Sequence, residues 1–187
     1  MLNPRLASRY AKSLIDLAVE QNSLEVTLQD VQYLDATIRS SAELAIMLKS
    51  PVIKADKKNA VIEAIFGARL SPLTRAFIKL LTSKGREDTL AEMATAFMQQ
   101  YRIMKNISQV RLITAAPVSD SVKEAIREKV AASMPGQQVE LSTDVQPELI
   151  GGFVLEMGDK LVDASIRRDL NDIKKQFLKN LYVPDIR

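Results

Sequence analysis

Through residue 105 the apolar positions recur at steps of three and four, the period of a helix turning one face to a core. In Pro4–Glu20, Leu6, Tyr10, Leu14 and Leu17 define such a face. Ala7, Ala11, Ile15 and Ala18 widen it to about half the circumference at roughly 100° per residue. A second helix carries Leu24, Leu28, Val31, Leu34 and Ile38, with Asn22 as its N-cap and Glu25 three residues on. Ser40 and Glu43 repeat that pairing before a short helix with Leu44, Met47 and Leu48, and Pro51 then breaks the chain. Val61, Ile62, Ile65 and Phe66 mark a fourth helix ending near Gly67. Ser71-Pro72 opens a fifth: serine caps the free amides, and proline sits where its missing N–H costs nothing. Its expected buried stripe is Leu73, Phe77, Leu80 and Leu81, with Ile78 beside it, and Gly85 supplies a left-handed stop. The sixth and clearest helix carries Leu90, Met93, Ala94, Phe97, Met98, Tyr101 and Met104.

After Asn106 the period changes to two. Val110, Leu112 and Thr114 alternate with Arg111 and Ile113 as a strand, Ala116-Pro117 turns, and Ser119 caps a helix with Val122, Ile126 and Val130. Pro135-Gly136 turns again into a second strand with Val139 and Leu141. Leu149 to Met157 reads as a third strand holding the pair Gly151-Gly152, which signals a bulge or a close backbone approach. Gly158-Asp159 is a hairpin turn leading to Leu161-Val162, Asp163 stands as a helix N-cap, and a final helix carries Ile166, Leu170, Ile173, Phe177 and Leu181. The expected fold class is α+β in two domains. An N-terminal six-helix bundle spans 1–106, and a small α+β domain with a short mixed sheet and a C-terminal helix spans 107–187.

Composition narrows the chemistry. Hydrophobic residues make up 47% and charged residues 26%, the balance of a soluble globular chain. Two domains of this size each have a modest core, which leaves room for stabilisation by a partner. With neither cysteine nor histidine, the chain lacks disulfides, thiolate sites, the usual serine triad and the commonest transition-metal ligand. No stretch is apolar for long enough to span a bilayer, and Met1–Tyr10 has no signal-peptide core, so the reading is a soluble protein that meets a membrane only indirectly. The net charge is +3. Through Lys105 there are 15 Lys/Arg against 11 Asp/Glu; beyond it, 11 against 12. A mildly basic helical part suits an acidic partner peptide or RNA, and equally a scattered solvated surface, because no basic run exceeds two residues.

The sequence carries little that resembles a catalytic motif. The six glycines do not form a phosphate-binding loop, and Gly151-Gly152 is not followed by Gly-Lys-Ser/Thr. Glu156, Asp159 and Asp163 form a loose acidic group around the hairpin, readable as carboxylates for a hard cation or acid–base work, or simply as strand, turn and cap residues. The expected catalytic residues, metals and cofactors are none. What stands out is surface: the first helix is apolar over a wider arc than bundle packing needs. Ala7, Ala11 and Ala18 allow close approach by another helix, whether from within the bundle or from a partner.

Several segments resemble one family. Leu6-Ala7-Ser8-Arg9-Tyr10-Ala11-Lys12-Ser13-Leu14-Ile15-Asp16-Leu17-Ala18 is similar to the first-helix signature of the delta (oligomycin-sensitivity-conferring) subunits of F-type ATP synthases. Ser83-Lys84-Gly85-Arg86 resembles the turn that ends their fifth helix. Ile150-Gly151-Gly152-Phe153 through Gly158-Asp159, then Val162 to Leu170, resembles their glycine pair, strand, turn and Asp-x-Ser-x-Arg helix opening, with Asp169 a departure from the usual basic or small residue. The resemblance implies a non-catalytic peripheral-stalk subunit that keeps the catalytic head from turning with the rotor during proton-driven ATP synthesis. It implies two partners. The N-terminal helix of an alpha subunit sits in a groove between the first and fifth helices, and the b subunit of the stalk meets the C-terminal domain. Carried onto this chain, the groove comprises Tyr10, Ala11, Leu14, Ile15, Ala18, Ile78 and Leu81. The implied location is the cytoplasmic face of a bacterial inner membrane, with no nucleic acid as partner. The competing readings are an RNA-binding helical bundle and a carboxylate enzyme using Glu156 and Asp159.

Overall fold

The computed structural model describes residues 4–134 and 136–179. The chain divides into two compact units, Met1–Met104 and Lys105–Arg187.

The described part of the first unit is helical: α1 (Pro4–Glu20), α2 (Leu24–Ser40), α3 (Ala42–Lys49), α4 (Ala55–Phe66), α5 (Pro72–Ser83), a 3-10 turn (Glu87–Thr89) and α6 (Leu90–Met104). Local chemistry sets the boundaries. At the end of α1, Ser23 N–H donates to the Ala18 carbonyl and Asn22 N–H to that of Val19, with Asn22 left-handed at φ 51°. Asn22 therefore stops α1 in a Schellman turn; it does not cap α2 as expected, and Ser23 takes that position. The third cap is likewise one residue later than expected. Ser41 Oγ accepts from Leu44 N–H, while Ser40 ends α2. Ser71 caps α5 by accepting from Thr74 N–H, with Pro72 in the first turn, and Gly85 (φ 64°) closes it. Gly67 keeps a right-handed φ of −57°, so the chain leaves α4 without a left-handed stop.

One apolar cluster joins all six helices, from Leu14 of α1 through Leu34, Leu48, Phe66 and Leu81 to Phe97 of α6. α1 lies chiefly against α6, where Ala7, Ala11 and Ala18 let the backbones approach, and Gln100 donates from Nε2 to the carbonyl and hydroxyl of Ser8. Buried polar groups are tied across the unit: Asp30 accepts from Ser71 N–H, and Lys58 pairs with Glu87.

The second unit runs β1 (Ile107–Thr114), α7 (Asp120–Ser133), β2 (Gln138–Val145), a 3-10 turn (Pro147–Leu149), β3 (Gly152–Met157), β4 (Lys160–Ser165) and α8 (Ile166–Lys179). The sheet order is β2-β1-β3-β4; β1 is parallel to β2, and the other pairs are antiparallel. Val110, Leu112 and Leu155 pack on Val130 of α7, while Ile113 and Val154 pack with Leu149 on the opposite face. The third strand begins at Gly152, later than expected, because Pro147–Leu149 coils and Ile150 turns left-handed at φ 66°. Gly152 lies at φ 75° with a Cβ position 2.1 Å from the Ala164 carbonyl oxygen, so the close approach read from the glycine pair is real and only glycine fits. Asp163 is a residue of β4 and does not cap α8; Ser165 does, accepting from Arg168 N–H. Of the expected turn and final-helix residues, Pro135 and Leu181 lie outside the described residues.

Candidate functional site

On α1, Leu6, Tyr10 and Leu17 share one flank of the helix; on α5, Leu73, Phe77 and Leu80 do. The two helices meet where the Tyr10 ring stands edge-on to Phe77, with centroids 6.5 Å apart and planes at 80°. Six of the seven residues assigned to the groove, Ala11, Leu14, Ile15, Ala18, Ile78 and Leu81, are buried within the core of the unit, and only Tyr10 is half-buried. The apolar side chains that reach the surface on these flanks are Leu17 (39% exposed) and Leu80 (49%), both read from the sequence as core. Periodicity alone does not separate the inner from the outer edge of a wide apolar arc.

A hollow of about 560 Å³ lies between α4 and α5, floored by Ile62, Phe66 and Ile78. Arg75 at its rim donates to the carbonyls of Gly67 and Leu70, so this cation is occupied in holding the turn after α4.

In the second unit two of the acidic residues around the hairpin, Glu156 and Asp163, are engaged structurally. Glu156 lies 3.5 Å from the Arg111 guanidinium, which also donates to Asp144 at 2.7 Å. The hydrogen bond to Asp144 comes first in raising the Arg111 pKa; the same bond, then one from Gln146, lowers that of Asp144. Asp163 is lowered by hydrogen bonds from the Ser165 hydroxyl and N–H, with Arg168 and Arg167 nearby. Held ionised in this way, Asp144 and Asp163 are poor acids and bases near neutrality. Among the described residues no group of three or more carboxylates could hold a metal ion, and no helix is long and apolar enough to cross a membrane.

Apolar side chains are exposed on α8 as well, among them Ile166, Leu170, Ile173 and Phe177. The described residues thus form a helical unit followed by an α+β unit, with exposed apolar side chains on α1, α5 and α8. The family described as "ATP synthase delta (OSCP) subunit" matches residues 6–177. A relative named ATP synthase subunit delta, from Cytophaga hutchinsonii, is 34% identical over 181 residues, covering 97% of this chain and 98% of its own. Another of that name, from Christiangramia forsetii, is 33% identical over 186 residues and covers both chains completely. A chain in the cryo-EM structure of the Toxoplasma gondii mitochondrial ATP synthase hexamer has a TM-score of 0.70 over 94% of this chain and 99% of its own. At 24% identity that likeness speaks for the fold. The chain belongs to the ATP synthase delta (OSCP) subunit family, and so is a peripheral-stalk subunit of an F-type ATP synthase. The RNA-binding reading finds no support in these comparisons.

Proposed function

We propose that this chain links the catalytic head to the b-subunit stalk, so that the head stays still while the rotor turns. The first unit acts as a six-helix bundle whose α1–α5 groove takes the N-terminal helix of an alpha subunit. The second unit engages the b subunit, and the chain catalyses no reaction. It sits at the cytoplasmic face of a bacterial inner membrane and reaches the membrane only through the complex. A stator resists torque through extended apolar contact that dissociates slowly. Two docking surfaces on one chain also raise the effective concentration of each partner for the other.

The observation that carries the groove is the exposed pair Leu17 and Leu80, on the flanks that meet at Tyr10 and Phe77. Tyr10 is half-buried, while Ala11, Leu14, Ile15, Ala18, Ile78 and Leu81 are buried in the core of the unit, where they would support the groove from beneath. Titrating the full chain with a labelled peptide of the alpha N-terminus from the same organism tests this. Leu17→Asp and Leu80→Asp are expected to weaken binding by about tenfold or more. Unchanged affinity in both variants overturns the placement.

A further inference from the structure

The hollow between α4 and α5 lies apart from the groove. α5 turns Phe77 and Leu80 to one flank and Arg75, Ala76 and Lys79 to another, so the two surfaces use different sides of one helix. Ile62, Phe66 and Ile78 are buried and give the hollow an apolar floor. Ala60 and Ala76 line its walls, and their single methyl groups are too short to fill it. A space of about 560 Å³ falls within the range of clefts that hold small molecules, which pair an apolar body with a few placed polar groups.

The rim charges select the ligand. Glu63 stands 3.9 Å from the Arg75 guanidinium, which also donates to the carbonyls of Gly67 and Leu70, so these two charges answer each other. Lys79 is left over. Neither its ammonium nor the Asn59 amide has a hydrogen-bond or ion-pair partner among the described residues. Of the lining residues, Asn59 and Lys79 lie furthest along their helices from the turn that joins α4 to α5. The unused donors therefore gather at one end of an apolar trough. That pattern matches a carboxylate joined to a hydrocarbon chain: the head accepts from the ammonium and the amide, and the chain covers the floor. A cationic amphiphile meets Lys79 unfavourably, and an uncharged one leaves it without a counter-charge.

We propose that the hollow between α4 and α5 is a fatty-acid site, with the carboxylate on Lys79 and Asn59 and the chain on Ile62, Phe66 and Ile78. The site is independent of the stalk reading, since neither partner surface is needed to form it.

The full chain is titrated with decanoate and followed by backbone amide NMR, with decanol and decylammonium as probes that lack the carboxylate. Saturable binding of decanoate with shifts centred on α4 and α5 is expected, and the other two probes are expected to bind about tenfold more weakly or less. Lys79→Met is expected to weaken decanoate by about tenfold and to leave decanol unchanged. Ala76→Phe, with Ala60→Phe as a second filling variant, is expected to abolish binding. All three positions are exposed, so melting temperatures near wild type are expected. Decanol binding as tightly as decanoate, or wild-type affinity in Lys79→Met, overturns the proposal. Shifts that fail to saturate show adventitious apolar contact only, and shifts centred on α1 place the chain in the peptide groove; either result also overturns it.

Discussion

Lys58 Nζ lies 2.6 Å from a carboxylate oxygen of Glu87 and 2.9 Å from the Leu48 carbonyl, inside an interior that is otherwise largely apolar. The pair ties the start of α4 to the end of α3 and to the turn before α6, and the second Glu87 oxygen has no hydrogen-bond partner. Breaking a buried pair leaves one uncompensated charge, so Lys58→Met is expected to cost about 3–5 kcal/mol. Adding Glu87→Leu removes that charge and is expected to recover most of the loss, leaving about 1 kcal/mol for the unpaired Leu48 carbonyl. Urea unfolding of the two single variants and the double variant checks this; a double variant no more stable than Lys58→Met contradicts it.

The glycine pair predicts unequal outcomes for one added methyl. At Gly152 the Cβ meets backbone, the Ala164 carbonyl, in a left-handed conformation, and Gly152→Ala is expected to destabilise the second unit by about 1–3 kcal/mol or more. At Gly151 the methyl meets only the Ile166 side chain, Cδ1 at 2.5 Å and Cγ1 at 3.3 Å, which can rotate aside. Gly151→Ala is expected to cost less than about 1 kcal/mol. Thermal melts of the two variants side by side distinguish them.

Acid is expected to destabilise the second unit in a defined window. Asp144 and Asp163 have folded-state pKa values below the ordinary aspartate value of about 3.9. Between the two values the unfolded chain binds protons and the folded chain does not, so stability rises with pH. The contribution is complete above about pH 4 to 5 and is lost as pH falls through the depressed values. Asp163→Asn is expected to flatten that acid limb without changing its sign, as read by circular dichroism against pH.

The groove predicts a division between core and rim. Ile78 is 2% exposed, and Ile78→Asp is expected to unfold the first unit, since it buries an unpaired charge. Leu17→Asp and Leu80→Asp leave the fold near wild type and lose the alpha peptide. If Ile78→Asp keeps the wild-type melt, the core assignment is wrong.

Helix existence and order were legible because a three-to-four period survives wherever one face is buried, as it is in α5 and α6. Cap positions were less so. Asn22 and Ser40 belong to residue types that both stop and start helices, and only the bonds from Asn22 and Ser23 back to α1 decide between them. The start of β3 was hidden because Leu149 and Ile150 extend its apolar run, while the coil that removes them from the strand shows only in backbone angles. Leu17 and Leu80 look like core in the sequence for the same reason that Leu14 and Leu81 are core: hydrophobicity records what a side chain avoids, not which neighbour covers it. The stripe of α8 was visible as a helix, but its exposure was not.

The most direct test is whether one molecule of this chain holds both partners together. Native mass spectrometry of the full chain, mixed with the alpha N-terminal peptide and the soluble b segment, is expected to show a ternary complex. Leu80→Asp should lose only the peptide and keep the b segment. Mutually exclusive binding of the two, or no binding of either, would contradict the account.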